Sequence, residues 1–292
     1  MPEIHKSGSP TFPSWLKRPI AHSGKQNIVT EQISSGGLHT VCNEAKCPNR
    51  SECYSRGVAT FLVMGDICTR NCSFCSVKTG KPGALDPDEP KRVLQAAREL
   101  RLKHVVITSV TRDDLADGGA GFYVEIVDLF KRELPGVTLE LLVPDFQGNE
   151  GAVDLVAGSG LDVFNHNVET VPSLYSKIRP QAIYSRSLAV LKRAADHGVA
   201  VKSGLMAGLG ESKSEMLAVM EDLFRNGCRI LTIGQYLRPS RDQVPVVEFV
   251  NPEVFEHYAR CAKEMGFESV FSGPYVRSSY RAGEFVPGKS SS

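Results

Sequence analysis

The 292-residue sequence predicts an α/β fold, a partial (β/α)6 TIM-like barrel with N- and C-terminal extensions. From residue 59 onward, short apolar runs alternate with segments of helical periodicity, which is typical of βα units that share a parallel sheet. A single α/β barrel is ordinary for a chain of this length. Polar residues follow several of the apolar runs, and in such barrels the chemistry lies at the carboxyl ends of the strands.

The predicted strands are short apolar runs at 60–65, 104–109, 138–143, 162–167, 199–206 and 229–236. Helical patterns lie between them near 88–101, 121–133, 150–158, 185–197 and 212–226, and another follows the last strand at 252–265. The six strands with their intervening helices are what a partial barrel requires.

This order divides the chain into three regions, at 1–58, 59–250 and 251–292. The first is an N-terminal arm with a cysteine motif, the second is the barrel, and the third is a helix with a polar C-terminal extension. Residues 1–36 are rich in Ser, Pro and Gly and show no sustained periodicity, so we expect an extended arm against the domain. A lone tryptophan is more often a docking anchor than a catalytic group, and we expect Trp15 to be structural.

Charge and hydropathy give no sign of a nucleic-acid-binding or membrane protein. Lys and Arg number 34 against 33 Asp and Glu, so the net charge favours neither a polyanion nor a membrane surface. No stretch is continuously apolar for about 18 residues, the length that a membrane helix needs. The N-terminal segment also lacks the apolar core of a signal peptide. We therefore expect a cytoplasmic protein that binds neither nucleic acid nor a membrane.

The eight cysteines carry the strongest signal, because six of them are crowded into one stretch. A secreted disulfide scaffold would be shorter and denser in cysteine, so metal binding in a reducing compartment fits better. Cys68, Cys72 and Cys75 form a C-x3-C-x2-C triplet just after the first predicted strand. Thiolates suit an iron–sulfur cluster or zinc, and three of them leave one iron of a [4Fe–4S] cluster free to bind a reacting molecule. A zinc knuckle or three buried thiols are the alternatives.

A second triplet, Cys42, Cys47 and Cys53, has the spacing C-x4-C-x5-C. By itself this spacing also fits a zinc site that lacks one ligand. Beside the first triplet, it indicates a second iron–sulfur cluster that is completed by a ligand from a distant part of the sequence. Cys228 and Cys261 stand alone, and we expect both to be buried, inert thiols.

Several predicted strands end in polar residues that a packed core would not need. Ser109 stands in a polar loop after the second strand. This loop either binds a ligand or is simply a solvated turn. The fourth strand ends in the polar residues Asn165, His166, Asn167 and Glu169. His166 suits a hydrogen-bonded structural role or a substrate contact equally. After the fifth strand, Gly208 lets the backbone approach a planar base closely, or it forms a turn before the next helix.

The first triplet, with Phe74 before its last cysteine, resembles the signature of the radical S-adenosylmethionine (SAM) superfamily. The resemblance implies a barrel of the radical SAM type, in which the free iron chelates the amino and carboxylate groups of SAM. An electron from the cluster then splits the sulfonium to give a 5′-deoxyadenosyl radical. The common Gly-Gly-Glu loop of that superfamily is absent here. The residues that the resemblance assigns to SAM are Ser109, Asn165, Asn167, Glu169, Arg179 and Gly208.

Both triplets, together with Arg277-Ser278-Ser279-Tyr280, resemble the lipoyl synthase family. The similarity runs from Pro13 to Tyr280 and includes segments 165–170 and 178–180. It implies insertion of two sulfur atoms at C6 and C8 of an octanoyl chain on a lysine of a lipoyl carrier domain. Those C–H bonds are unactivated, so a radical must take the hydrogen, and the cofactors carry this step.

The same resemblance implies two [4Fe–4S] clusters and SAM as cofactors, with a separate role for each cluster. The ligands assigned to catalysis are Cys68, Cys72, Cys75 and Ser279. The cluster on the second triplet donates sulfur and is destroyed in turnover. Ser279 is its fourth ligand, with Ser278 as the alternative. Oxygen is a harder ligand than thiolate and could leave when a sulfide is removed.

The implied partners are an octanoylated carrier such as the H protein or E2 subunits, an electron donor such as ferredoxin or flavodoxin, and a cluster-repair protein. Two alternatives stay open. The first is another two-cluster radical SAM enzyme that inserts sulfur, such as a methylthiotransferase, although those enzymes space their extra cysteines differently and usually add an RNA-binding domain. The second is a zinc-stabilised binding module without catalysis.

Overall fold

The computed structural model describes residues 11–17, 24–56, 58–280 and 282–285. The other parts of the predicted arm lie outside the described residues. The strands are β1 (His39–Thr40), β2 (Thr60–Val63), β3 (Ile67–Cys68), β4 (Lys78–Thr79), β5 (His104–Ser109), β6 (Thr138–Leu142), β7 (Val163–Asn165), β8 (Ala200–Ala207), β9 (Ile230–Gln235) and β10 (Ser269–Gly273). The helices are α1 (Gly24–Ser35), α2 (Val41–Glu44), α3 (Arg50–Ser55), α4 (Glu89–Glu99), α5 (Ala120–Glu133), α6 (Glu150–Ala157), α7 (Tyr175–Ile178), α8 (Tyr184–Asp196), α9 (Lys213–Arg225) and α10 (Pro252–Met265).

In the described part of the chain, eight strands form the main sheet in the order β1-β2-β5-β6-β7-β8-β9-β10. All neighbours pair in parallel except β1, which is antiparallel to β2 at one edge. The six predicted strands correspond to β2 and to β5 through β9, which are adjacent in the sheet and follow chain order. The predicted partial (β/α)6 barrel is therefore confirmed, and β10 continues it at the other edge. The strands β3 and β4 form a separate pair that carries Cys68.

The long predicted helices also match the structure, as α4, α5, α6, α8, α9 and α10. Local signals fix their ends. At the start of α9, the Ser212 hydroxyl accepts from the Glu215 N–H while the Glu215 carboxylate accepts from the Ser212 N–H. Helix α10 begins with Pro252 and is followed by the capping residue Gly266, whose φ of 102° lies in the left-handed region that glycine adopts freely. No helix of the described residues has the length and apolar character needed to cross a membrane.

The expectation of an extended N-terminal arm was wrong for α1. Val29 and Ile33 lie four residues apart on one face of this helix, and both are buried. The many polar residues around them mask this short apolar stripe in the sequence. Trp15 is not the docking residue either, since its side chain is 36% exposed while Leu16 is buried. The Leu16 carbonyl oxygen accepts a hydrogen bond from the Tyr275 hydroxyl, which ties the arm to the C-terminal extension.

One hydrophobic core joins the N-terminal region to the barrel, since Val29 and Tyr54 belong to the same cluster as the strand residues Phe61 and Ile107. We therefore propose that the regions 1–58, 59–250 and 251–292 are parts of one folded unit.

A second, smaller hydrophobic cluster comprises Val106, Val163, Ile230 and Ala282. Val163 and Ile230 lie at the amino ends of their strands, whereas Gly273 ends β10. The extension therefore crosses from the carboxyl ends to the amino ends of the strands between Gly273 and Ala282.

Gly234 of β9 lies where the C-terminal extension packs closely against the sheet. A methyl group on its Cα would lie 2.0 Å from the Val276 carbonyl oxygen. Because the obstacle is backbone, we expect Gly234→Ala to lower the free energy of unfolding by about 1–3 kcal/mol. Denaturant unfolding of the full-length protein measures this loss. Gly273→Ala is the matched control, since its methyl would meet the Val276 side chain at an ordinary 3.5 Å. Equal losses in the two variants would contradict the prediction.

Candidate active site

A cavity of about 360 Å³ opens at the carboxyl ends of the barrel strands. Most of the clustered cysteines line it, namely Cys42, Cys47, Cys68, Cys72 and Cys75. Ser278 and Ser279 of the C-terminal extension line it as well. The fold thus brings three sequence motifs, one from each region of the chain, to the same cavity.

The loop of the first triplet is held in place by its own backbone and by the loop after β5. The Cys68 sulfur accepts N–H hydrogen bonds from Arg70 at 3.4 Å and from Thr111 at 3.3 Å. The Ser73 N–H donates to the Ile178 carbonyl oxygen at 3.0 Å. Two backbone N–H groups therefore hold the Cys68 sulfur in place, one from its own loop and one from the loop after β5.

The buried guanidinium of Arg70, within this loop, is a feature that the sequence did not reveal. Arg70 donates from Nε and Nη2 to the Asp113 carboxylate, at 2.6 and 2.9 Å, and from Nη2 to Asp145 at 2.5 Å. Burial alone would raise the pKa of Asp145, but the hydrogen bond and charge of Arg70 outweigh it and lower that pKa to about 2. Asp113 lies in the polar loop noted in the sequence, but its partner Arg70 comes from a different strand end.

Three of the clustered cysteines are poor nucleophiles in the absence of a metal. Burial raises the pKa of Cys75 to about 12 and that of Cys42 to about 11, and it raises the pKa of Cys72 as well. Such thiols stay protonated at neutral pH, and a metal must replace the proton before the thiolate forms. Soft ligands in a largely apolar cavity suit an iron–sulfur cluster, so the donor set fits the group that the sequence predicts.

The second triplet lies on the short helices that precede the barrel. The Thr40 hydroxyl accepts from the Asn43 N–H at 3.3 Å and caps α2, which carries Cys42. Cys53, on α3, does not line the cavity. Burial, together with the charges of Cys42 and Cys47, raises the pKa of Cys53 to about 12. Cys42 and Cys47 thus reach the cavity lining, whereas Cys53 lies outside it.

The described side chains include no group of three or more His, Cys, Asp or Glu that could hold a single metal ion. The thiols are instead distributed around a cavity whose remaining lining is largely apolar. Its apolar side chains include Leu62, Phe74, Val77, Val110, Leu142, Leu205, Met206 and Leu237.

The two serines of the C-terminal motif have different surroundings. The Ser278 hydroxyl accepts from Asn165 Nδ2 at 2.7 Å and donates to Asn167 Oδ1 at 3.0 Å. Among the residues that the structure describes, none forms a hydrogen bond with the Ser279 hydroxyl. Of the two hydroxyls, that of Ser279 is the one left to accept another partner.

Four of the six residues assigned to SAM line the cavity, namely Ser109, Asn167, Glu169 and Arg179. The buried Arg179 donates from Nη1 to the carbonyl oxygens of Asn167 and Val168, at 2.9 and 3.0 Å, while its Nε has no partner among the described residues. Glu169 has a φ of 71° and accepts from Asn167 Nδ2 at 3.1 Å. Desolvation raises the pKa of Glu169, and the Arg179 charge opposes this shift. A ligand with both amino and carboxylate groups would satisfy these two side chains.

Gly208 and Asn165 are not among the residues that line the cavity. Gly208 has a φ of 97°, and a Cβ there would lie 2.3 Å from both Gln235 Nε2 and the Glu248 carbonyl oxygen. Its glycine is needed for a tight turn against these residues, which is the second of the two alternatives raised by the sequence. Asn165 lies deeper in the barrel, where its Nδ2 also donates to Glu140 at 2.7 Å.

His166 lines the cavity, but its ring is fully engaged in the fold. Nδ1 lies 2.8 Å from the Val143 carbonyl oxygen and Nε2 lies 3.0 Å from the Ser187 hydroxyl. Burial, together with the Arg179 charge, lowers the pKa of His166 to about 4. A neutral histidine with both nitrogens bonded is a structural residue, which is one of the two roles considered for it.

Residues 62–223 match the family model described as the radical SAM superfamily. The lipoyl synthase of Chlorobaculum tepidum is 48% identical over 283 residues, which cover 96% of this chain and 98% of that protein. The lipoyl synthase of Caldanaerobacter subterraneus subsp. tengcongensis is 52% identical over 272 residues, which cover 92% of this chain and 95% of that protein. The crystal structure of Streptococcus suis SuiB bound to S-adenosylmethionine matches with a TM-score of 0.59 at 10% identity, over 85% of this chain and 60% of that chain. At this identity, the likeness to SuiB concerns the fold alone.

Proposed function

Because this chain belongs to the lipoyl synthase family of the radical SAM superfamily, we propose that its cavity is where a protein-bound octanoyl chain becomes a lipoyl group. The enzyme is a sulfurtransferase that inserts two sulfur atoms at C6 and C8 of octanoyl-lysine in a SAM-dependent radical reaction. The observation that carries the proposal is the presence of thiols from both triplets and of Ser279 around one cavity.

Two [4Fe–4S] clusters divide the work. The radical cluster is held by Cys68, Cys72 and Cys75, and the donor cluster is held by the second triplet and Ser279. When bound, these clusters supply the electron that cleaves SAM and the sulfur that replaces hydrogen. Ser279 is preferred over Ser278 as the oxygen ligand because the Ser278 hydroxyl is already bonded to two asparagines.

Four polar residues of the cavity lining suit SAM. The unpartnered Nε of Arg179 suits a carboxylate, and the Glu169 carboxylate suits an ammonium group. Ser109 and Asn167 add hydrogen-bonding groups to the same lining. The two cavity residues with opposite charge would thus orient a zwitterion against the first triplet.

The octanoyl chain needs an apolar, water-poor space, because a radical that abstracts an unactivated hydrogen must not meet competing donors. The cavity offers such walls between the two triplets. Leu62 and Leu142 come from the barrel strands, Phe74 comes from the cysteine loop, and Leu237 comes from the loop after β9. An alkyl chain would bind there without any specific polar contact, because burial of its apolar surface contributes about 25 cal/mol per Å².

The partner class is the lipoyl carrier protein. The H protein and E2 subunits are the specific carriers we propose, with ferredoxin or flavodoxin as electron donor and a cluster-repair protein to rebuild the donor cluster after turnover. The eight cysteines are free. We propose the cytoplasm as the compartment, because a reducing environment keeps thiols available for clusters.

The direct test is anaerobic reconstitution of the full-length protein, followed by reaction with SAM, a reductant and an octanoyl-lysine peptide. Mass spectrometry of the peptide should show two added sulfur atoms, and iron analysis before the reaction should give about eight atoms per chain. A protein that takes up zinc but no iron, and that leaves the peptide unchanged, would exclude the proposal.

The oxygen ligand gives a sharper prediction. Ser279→Cys should keep or strengthen the donor cluster, since thiolate is the softer ligand, and it should slow sulfur insertion by about tenfold or more because the ligand no longer leaves easily. Ser279→Ala should loosen the donor cluster instead. Iron content and thiolated peptide are measured on both variants. If both behave as the unmodified protein does, Ser279 is not a ligand.

A further inference from the structure

A network of buried charges lies inside the barrel below the serine motif. Lys202 of β8 and Glu140 of β6 are fully buried, and Lys202 Nζ lies 2.9 Å from each oxygen of the Glu140 carboxylate. His104 Nε2 lies 3.6 Å from the same carboxylate. Because paired charges in the interior offset their desolvation only when their geometry is good, this arrangement fixes the Glu140 carboxylate in one position.

Asn165 connects this fixed carboxylate to the serine motif. Its Nδ2 donates to Glu140 Oε1 at 2.7 Å and to the Ser278 hydroxyl at 2.7 Å. The Ser278 hydroxyl donates in turn to Asn167 Oδ1 at 3.0 Å. One hydroxyl has a single proton to donate, so these two contacts determine how Ser278 is oriented.

The next residue, Ser279, lies between two anchored neighbours. Ser278 is fixed to the barrel interior, and the Tyr280 hydroxyl donates to Glu52 Oε1 at 2.9 Å. Glu52 is adjacent to Cys53 on α3. The segment that carries the Ser279 hydroxyl is therefore tied on one side to the barrel and on the other to the helix of the second triplet.

We propose that Asn165 and Ser278 are positioning residues that hold the Ser279 hydroxyl against the donor cluster. The Lys202–Glu140 pair fixes Asn165, Asn165 fixes Ser278, and Ser278 fixes the backbone of its neighbour. This inference rests on the proposed function, in which Ser279 is the fourth ligand of that cluster. It gives Asn165 a different role from the SAM contact that the sequence predicted.

The test measures how fast a ferrous-iron chelator removes iron from the full-length protein with both clusters in place. Ser278→Ala removes the hydroxyl that joins the extension to the barrel, and iron should leave the donor cluster about tenfold faster. Ser278→Thr keeps a hydroxyl and should restore the slow rate. Asn165→Ala leaves Ser278 intact but removes its donor, and it should accelerate release as Ser278→Ala does. The electron paramagnetic resonance signal of the radical cluster without SAM should not change in any of these variants.

Ser187→Ala is the matched control, since it also removes a buried hydroxyl, one that bonds His166 and does not touch the serine motif. If Ser278→Ala and Asn165→Ala release iron no faster than Ser187→Ala, while Ser279→Ala releases it quickly, the positioning role is wrong and the proposed function stands. If Ser279→Ala also releases iron at the unmodified rate, the ligand assignment fails together with the inference.

Discussion

Replacement of Cys68, Cys72 and Cys75 by Ala is expected to abolish reductive cleavage of SAM, to the background of the reductant alone. These thiols line the cavity beside Glu169 and Arg179, and in the proposed function they are the only protein ligands of the radical cluster. The other triplet lies on α2 and α3, so the donor cluster should remain at about four iron atoms per chain. Measurement of 5′-deoxyadenosine and of iron on the same preparation checks both parts.

Cys261→Ala is the control for this variant. Cys261 lies on α10 near His257, outside the cavity, so its loss should leave both SAM cleavage and iron content at the unmodified level. Continued formation of 5′-deoxyadenosine by the triple variant would place the radical site elsewhere. Loss of all iron would show instead that the two clusters depend on each other for binding.

The barrel could be predicted because each of its strands is marked by a local pattern in the sequence. Apolar runs such as His104–Ser109 are buried on the sheet and are followed each time by an amphipathic helix, so periodicity alone locates them. The antiparallel β1 and the last strand β10 were missed. Strand β1 has only two residues, and β10 is only partly buried along its length, so neither presents a distinct apolar run. Their place in the sheet is set by neighbours and not by their own composition.

The six clustered cysteines stand out in the sequence because the proposed cluster ligands are one residue type at a fixed spacing. The choice between Ser278 and Ser279 could not be made this way. It depends on which hydroxyl meets Asn165 and Asn167, and those residues lie on a distant strand end. The same reason explains Arg70, whose role appears only when Asp113 and Asp145 converge on it from separate loops. Sequence spacing fixes local geometry, whereas these contacts are tertiary.

Polar residues at strand ends gave a mixed result for a related reason. Asn167 and Glu169 reach the cavity, but Asn165 lies deeper because its side chain points into the barrel interior toward Glu140. Gly208 marked a real turn, in which the glycine accommodates Gln235. A polar residue at the end of a strand therefore indicates the active end of the barrel without revealing which layer of it the side chain occupies.

Replacement of Cys42, Cys47 and Cys53 by Ala is expected to have the opposite effect from the first triple variant. SAM should still be cleaved, because the Cys68 loop keeps its hydrogen bonds to Thr111 and to its own backbone. The octanoyl peptide should gain no sulfur, a loss of more than about a hundredfold, since no protein thiol remains to hold the donor cluster. Mass spectrometry of the peptide and quantification of 5′-deoxyadenosine in one reaction separate the two outcomes.

The two triple variants control each other, because each removes one cysteine triplet while a different product should disappear. Cys42 is also part of the main core, so its variant loses some packing, and thermal unfolding must show that the barrel remains folded. A folded variant that cleaves SAM and still makes lipoyl product would mean that the sulfur comes from another source. A folded variant that cleaves SAM without thiolation requires that radical formation and sulfur donation depend on different cysteines, although thiols of both triplets line one cavity.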